Sequence, residues 1–276
     1  TGPDIIFFWV ARMIITGYEF LGDKPFSDVY FTSILRDESG KKLSKSLGNS
    51  PDPFDLFEEY GTDAVRFGVM LMAPQGLDVL FSKDRLEIGR NFMNKLWNAC
   101  RFVDMNKPNG WNDKELMASQ RLELADKWIL NRLERAIKNY NNQIERFHFN
   151  ESAKVLYDFI WNDFCDWYIE IAKTRFYSED SDSKVSTYNT CVKCIRIILP
   201  LLHPYTPFIT EELWSYFKDK DQPDLIISSW PEQKSEFDIE IDNEMEILQG
   251  IISSVRAIRS RMNIPPSKKI DLKVKC

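Results

Sequence analysis

Apolar residues recur every three or four positions, the spacing of one helix face, through five long stretches: Arg85 to Val103, Leu124 to Ile144, Glu151 to Tyr177, Lys184 to Leu202 and Pro207 to Phe217. Pro108, Gly110, Asp180 and Pro204 punctuate the joints, and Asn150 and Thr206 stand where helix N-caps belong. This pattern predicts a helical bundle, in which Trp128, Trp161, Trp167 and Trp214 serve as core. The first eighty residues read differently. Ile5 to Gly17 has the apolar density of a buried helix, with Arg12 as its lone charge and Gly17 as its stop, and is expected to pack under a sheet. Val29 to Leu35, β-branched and aromatic, predicts a strand that breaks into a turn over Arg36 to Gly40. Two short helices follow, Pro53 to Tyr60 closed by Gly61, and Ala64 to Met72 capped by Thr62-Asp63. An extended connector, Leu77 to Phe81, marks a boundary. Beyond the bundle, Asn243 to Met262 predicts a helix and Lys269 to Lys275 a strand. The expectation is a mainly α chain with an α/β portion, divided into residues 1–80, 81–222 and 223–276.

Composition narrows the class. Aromatic residues make up 13% of the chain, which excludes the low-aromatic signature of disorder. No apolar run approaches a membrane span, and the five cysteines are odd in number and irregular in spacing, so reduced thiols in a cytosolic protein are expected. Cys191 and Cys194 have the spacing of a metal half-site, but no second pair exists to complete it, and His203 beside Pro204 reads as a packing residue. A net charge of -6 argues against general nucleic-acid coating, leaving any RNA contact to local patches. Charge is uneven: Glu232 to Glu246 holds seven acids against Lys234, and Arg256 to Lys275 holds seven bases against Asp271. Two solvated faces of opposite sign account for these blocks as well as an RNA site does.

The chemistry concentrates in Lys41 to Asn49, where three lysines, two serines and a glycine fall within nine residues ahead of a helix opened by Asp52-Pro53. Lysines supply charge to phosphate oxygens, Ser44 and Ser46 supply donors, and Gly48 permits close backbone approach. A polyphosphate suits this loop, although a solvated turn has the same composition.

Lys42-Leu-Ser-Lys-Ser46 resembles the KMSKS signature of class I aminoacyl-tRNA synthetases, departing only in Leu43. Arg90-Asn-Phe92, Asn94 to Asn98, Phe164 to Tyr168 and His203 to Trp214 resemble, in order, the anticodon-binding half of the valine, isoleucine, leucine and methionine subgroup. The opening Gly2 to Met13 resembles the valine-specific branch; an isoleucine-specific member would show Gln followed by Arg-Gly-Trp here. The resemblance implies the C-terminal half of a Rossmann-like catalytic domain followed by a helical anticodon-binding domain. It further implies ATP with Mg2+, valine and valine tRNA as ligands, and a monomeric parent enzyme. Lys42 and Lys45 become the transition-state lysines, with Ser44 and Ser46 as further ATP contacts. Asp4 is expected at the valine ammonium, and Ile5 and Trp9, four residues apart, at its side chain. Thr32-Ser33 stands where the family usually places a glycine in second position, near the adenine.

Arg90, Asn94, Lys95, Arg101 and Phe102 are nominated for tRNA binding, because RNA loops are read by stacking and hydrogen bonding to splayed bases. His148 and His203 are the two histidines, neither in the partner His-x-Gly-His arrangement, and neither an editing insertion nor a C-terminal arm is recognisable. The chain therefore reads as an excised part of a longer enzyme, expected to give no valine-dependent ATP–pyrophosphate exchange alone. Two rival readings are an isoleucine-specific synthetase, disfavoured by Asp4 to Met13, and a non-catalytic RNA-binding module, disfavoured by the intact lysine loop.

Overall fold

The computed structural model describes residues 1–73, 76–112, 121–234, 236–265 and 267–273. A short turn at Pro3–Ile5 and a wide one at Ile6–Val10 lead into α1 (Ala11–Leu21). Strand β1 (Leu35–Arg36), helices α2 (Pro53–Tyr60) and α3 (Thr62–Met72) and strand β2 (Val79–Leu80) follow. Helix α4 (Lys83–Met105) enters the bundle, which continues through α5 (Leu124–Glu145), α6 (Phe149–Asp158), a widened segment (Phe159–Tyr168) and α7 (Ile169–Phe176). Helices α8 (Ser181–Leu202) and α9 (Pro207–Phe217) complete it, and α10 (Ile239–Arg261) lies against α5.

Side-chain caps set several helix starts. Asp52 accepts from the Phe54 amide at 2.8 Å with Pro53 behind it, Ser82 accepts from Asp84, and Asp180 accepts from Asp182 and Ser183. Glu123 and Asp126 cap α5 reciprocally. A single apolar core then runs from Leu56 to Met245, continuous across the connector at Phe81. Helix α3 lies so close to α4 that a Cβ at Gly89 would stand 2.2 Å from the Ala64 carbonyl oxygen. Phe67, fully buried, stacks on Phe92 at 4.7 Å across the same seam.

Within this core sits a charged cluster around Asp126. Asp126, with no exposed surface, accepts from Arg175 at 2.5 Å, from the Tyr168 hydroxyl at 2.6 Å and from the Glu123 amide at 2.9 Å. Cys100, Cys165, Cys191 and Cys194 are also buried, and burial pushes their thiols up, Cys165 to about 12. Among the described residues no group of three or more His, Cys, Asp or Glu is placed to hold a metal, and no helix is long and apolar enough to cross a membrane.

The continuous rod from Phe149 to Phe176 carries a pattern of its own. Ile160, Phe164, Tyr168, Ala172 and Phe176 are all buried at a strict spacing of four. In a regular helix each such step drifts by about 40°, which would soon turn the row away from the core. The chain instead widens over Phe159–Tyr168, where the Ile169 amide reaches back five residues to the Phe164 carbonyl, and the row stays on one face.

Several expectations are corrected. The opening segment is not buried under a sheet: Phe7, Phe8, Trp9, Phe20 and Leu21 are exposed, because the two strands of the described residues are two residues each and offer no face to cover it. Gly17 lies inside α1, and Gly22, left-handed at φ +72°, ends it. Of Val29–Leu35 only Leu35 is in a strand, since pairing needs a partner opposite and β2 supplies just Val79 and Leu80, in parallel register with Leu35 and Arg36. Asn150 is not an N-cap; it lies within α6 and donates to the Leu71 carbonyl at 2.9 Å. Thr206 stands at the N-cap of α9 but its hydroxyl turns back to the Leu202 carbonyl. Helix α3 starts without a side-chain cap. Residues 269–273 form no strand, and 274–276 lie outside the described residues.

Candidate functional site

Two regions hold the nominated residues. The first is the loop after β1. Leu43 donates its amide to the Leu35 carbonyl at 3.0 Å, and Arg36 bridges to Lys42, so the loop folds back on the strand that feeds it. Asp37 and Asn49, neither nominated from sequence, clamp its two ends. Asp37 accepts from the Ser39 hydroxyl at 2.6 Å and from the Lys41 amide at 2.9 Å, and its other oxygen accepts from the Asn49 side-chain amide at 2.8 Å. Asn49 in turn accepts the Ser44 amide at 2.9 Å and donates to the Lys42 carbonyl at 3.3 Å. Ser44 and Ser46 share a hydroxyl hydrogen bond at 2.8 Å, and Gly48, at φ +67°, closes the turn Lys45–Leu47 by donating to the Lys45 carbonyl. The signal for the clamp was the Asp-x-Ser-Gly turn ahead of the lysines, where a carboxylate caps its own turn.

The Ser39 hydroxyl, the Asn49 amide and the Lys41 backbone hold the Asp37 carboxyl at about 2, below the ordinary 3.8. A depressed carboxylate favours the folded loop above its ordinary value and loses that contribution as pH falls. Loop order is therefore expected to be complete above 3.8 and lost as pH drops through about 2. Carboxyl carbon chemical shifts of Asp37 across that range check it, and a midpoint at the ordinary value would remove the clamp.

Lys42 and Lys45 are both exposed. Lys42 reaches Asp4 at 3.1 Å, joining the nominated amino-acid and phosphate residues in one ion pair. Ile5 and Trp9 follow Asp4, and both are exposed, Ile5 at 42% and Trp9 at 58%.

The second region is α4. Its five nominees do not share a surface. Arg90, Asn94 and Arg101 fall within about 40° of one another around the axis, whereas Lys95 and Phe102 lie about 100° away. Arg90 pairs with Glu87 at 2.7 Å and its guanidinium lies 5.6 Å from the Tyr60 ring centroid. Arg90 and Asn94 line a cavity of about 370 Å³ with Tyr60, Asp63 and Phe208. Arg101 lines a neighbouring cavity of about 440 Å³ with Trp97, Asp104 and Tyr216. On the other face Lys95 pairs with Asp166 at 2.5 Å and lies 3.7 Å from the Trp161 ring centroid, and Phe102 packs edge-on against Phe176. Trp97, exposed beside Arg101, is an aromatic on the first stripe that sequence reasoning passed over.

The acidic and basic blocks also find uses. Asn131 exchanges hydrogen bonds with the Asp238 backbone and donates to the Asp242 carboxylate, Arg135 pairs with Asp242, and these dock α10 on α5. Arg256 stands over Trp167 at 5.5 Å.

Two family models match the chain: the tRNA synthetases of class I (I, L, M and V) over residues 1–82, and the anticodon-binding domain of tRNA ligase over residues 126–275. Among curated relatives, a valine–tRNA ligase of Bacillus cereus is 43% identical over the whole chain and one of Fusobacterium nucleatum is 46% identical over 97% of it. The chain spans 31% of the length of each. Among solved structures, a methionyl-tRNA synthetase of Mycobacterium tuberculosis with methionyl-adenylate aligns over 77% of this chain and 42% of that one, with TM-score 0.58 and 20% identity. The ternary complex of LeuRS, tRNA and LeuAMS from Agrobacterium radiobacter aligns over 81% and 26%, with TM-score 0.57 and 20% identity. At that identity the likeness is one of fold.

Proposed function

The chain belongs to the class I tRNA synthetases, and from that membership we propose that it is the portion of a valine–tRNA ligase that carries the second half of the activation site and the anticodon-binding bundle. The division at residues 1–80, 81–222 and 223–276 follows from that reading. The observation that carries it is the Lys42–Asp4 pair at 3.1 Å, held on a clamped loop. An amino acid presents its carboxylate beside its ammonium. If Asp4 takes the ammonium, Ile5 and Trp9 flank the side chain and the carboxylate is delivered next to the lysines. Lys42 and Lys45 then stabilise charge on the ATP phosphates as the carboxylate attacks the α-phosphate, giving valyl-adenylate and pyrophosphate, with Ser44 and Ser46 donating to the same oxygens. The valyl group passes next to the terminal ribose of the tRNA. Mg2+, brought with ATP, would supply further positive charge to the phosphates beside Lys42 and Lys45. Arg90, Asn94, Lys95, Arg101 and Phe102 are proposed tRNA contacts, with Arg90, Asn94 and Arg101 best placed as a common stripe. A monomer in the cytoplasm completes the reading.

Binding to fluorescent valine tRNA and isoleucine tRNA across a salt series tests it. A preference for valine tRNA, weakening as salt rises, is expected from local cationic contacts on a chain of net charge -6. Stronger binding of isoleucine tRNA would favour the isoleucine-specific reading instead.

A further inference from the structure

The block His203 to Trp214 and the segment Thr62 to Arg66 supply none of the contacts to ATP or valine proposed above, yet the structure docks one on the other beside the cavity of Arg90 and Asn94. Helix α9 begins with Pro207, which has no N–H, so Phe208 and Ile209 carry its first free donors. Thr206 does not cap them. The Asp63 side chain does so from α3, accepting from the Ile209 amide at 2.6 Å and the Phe208 amide at 3.5 Å, from 146 residues away in sequence. Arg66, three residues on and on the same face, donates to the Tyr205 carbonyl at 3.0 Å and the Pro204 carbonyl at 3.0 Å. The joint between α8 and α9 is therefore gripped by an anion at the first amides of α9 and a cation at the carbonyls that precede it. Asp63 is 7% exposed, and burial raises its carboxyl, so it stays against a solvation cost that an apolar residue would avoid.

The grip lies on a short route. Asp52, three residues past Asn49, caps α2, and Gly61 alone separates α2 from α3. Tyr205, whose carbonyl Arg66 holds, places its hydroxyl 2.6 Å from Ser152 of α6 and its ring against Phe67. Apolar burial would hold α3 to the bundle but is non-directional; hydrogen bonds to fixed amides and carbonyls also set its register.

We propose that Asp63 and Arg66 are positioning residues that register the lysine loop against the tRNA-facing bundle, so that valine activation tolerates their loss while transfer to tRNA does not. This rests on the function proposed above. In the full-length enzyme, Asp63→Ala and Arg66→Ala are expected to leave valine-dependent pyrophosphate exchange within about twofold while lowering kcat of aminoacylation about tenfold, within the usual range for coupling between sites. Asp63→Asn, which keeps an acceptor for the Ile209 amide, is expected to recover most of the loss. Equal falls in both activities, or no fall in either, would overturn the proposal.

A second measurement does not depend on catalysis. Spin labels at Glu58→Cys on α2 and Asn139→Cys on α5, both exposed, with Cys276→Ser, report the α2-to-bundle distance, because the described native cysteines are buried. A narrow distribution that broadens with Asp63→Ala and narrows again with Asp63→Asn is expected. An Asp63→Ala distribution as narrow as the parent's would overturn the latch, whereas absent exchange in the unmodified enzyme would instead remove the functional reading.

Discussion

Replacing Asp126 with alanine is expected to destabilise the chain by about 3–5 kcal/mol, the range seen when one partner is removed from a buried ion pair. The size follows from what is left behind. Arg175, only 8% exposed, would keep its charge without the carboxylate 2.5 Å away, retaining Ser183 and an oblique contact with Glu123 at 3.4 Å. The Tyr168 hydroxyl, pushed well above 10 by burial, would lose its acceptor, and the Glu123 amide would lose half of its reciprocal cap. An order-of-magnitude loss of this kind consumes a large share of the 5–15 kcal/mol by which domains are stable. Urea denaturation monitored by tryptophan fluorescence measures it. Pairing Asp126→Leu with Arg175→Met should return much of the stability, since apolar replacement of both partners is often neutral. A loss below about 1 kcal/mol for Asp126→Ala would place the cluster among pairs of little worth.

The second large effect concerns rate. In the full-length enzyme, Lys42→Ala or Lys45→Ala is expected to slow valine-dependent pyrophosphate exchange by about 100- to 1000-fold, the cost of removing one preorganised donor from a developing charge. The two lysines should differ in binding. Lys45 is exposed and bonded to no side chain among the described residues, so its loss should act on kcat and leave the KM for valine unchanged. Lys42 occupies Asp4, the group expected to receive the valine ammonium, so Lys42→Ala removes a competitor and should lower that KM while kcat falls. Less than about a threefold effect for both variants would mean that the loop does not stabilise this transition state.

The sequence made the helices legible where their stop and start signals are local. Pro53 and Gly61 bracket α2 as their chemistry requires, and Asp180 caps α8 one turn from its donors. Reading failed where the partner is distant. Thr62-Asp63 has the composition of a cap for α3, but the carboxylate serves α9, and nothing near it in sequence announces that. Val29 to Leu35 has strand composition, yet a strand exists only where another lies beside it. The lysine loop was legible through its composition and its resemblance, whereas the Asp37–Asn49 clamp joins residues twelve apart whose types are common in any loop. On α4 the charged and aromatic residues were nominated as a set, but the helical phase separating Lys95 and Phe102 from Arg90, Asn94 and Arg101 was not used, and it divides them between two faces.

The widened rod from Phe149 to Phe176 bears on how this chain can vary. A helix that takes in one extra residue must either rotate everything beyond it by about 100° or swell locally to absorb the addition. Phe159–Tyr168 is swollen in that way, and the buried row at Ile160, Phe164, Tyr168, Ala172 and Phe176 passes through it without turning. Length differences of a single residue in homologous chains should therefore collect in this segment, where a shorter version can tighten into an ordinary helix and leave the flanking turns seated as they are.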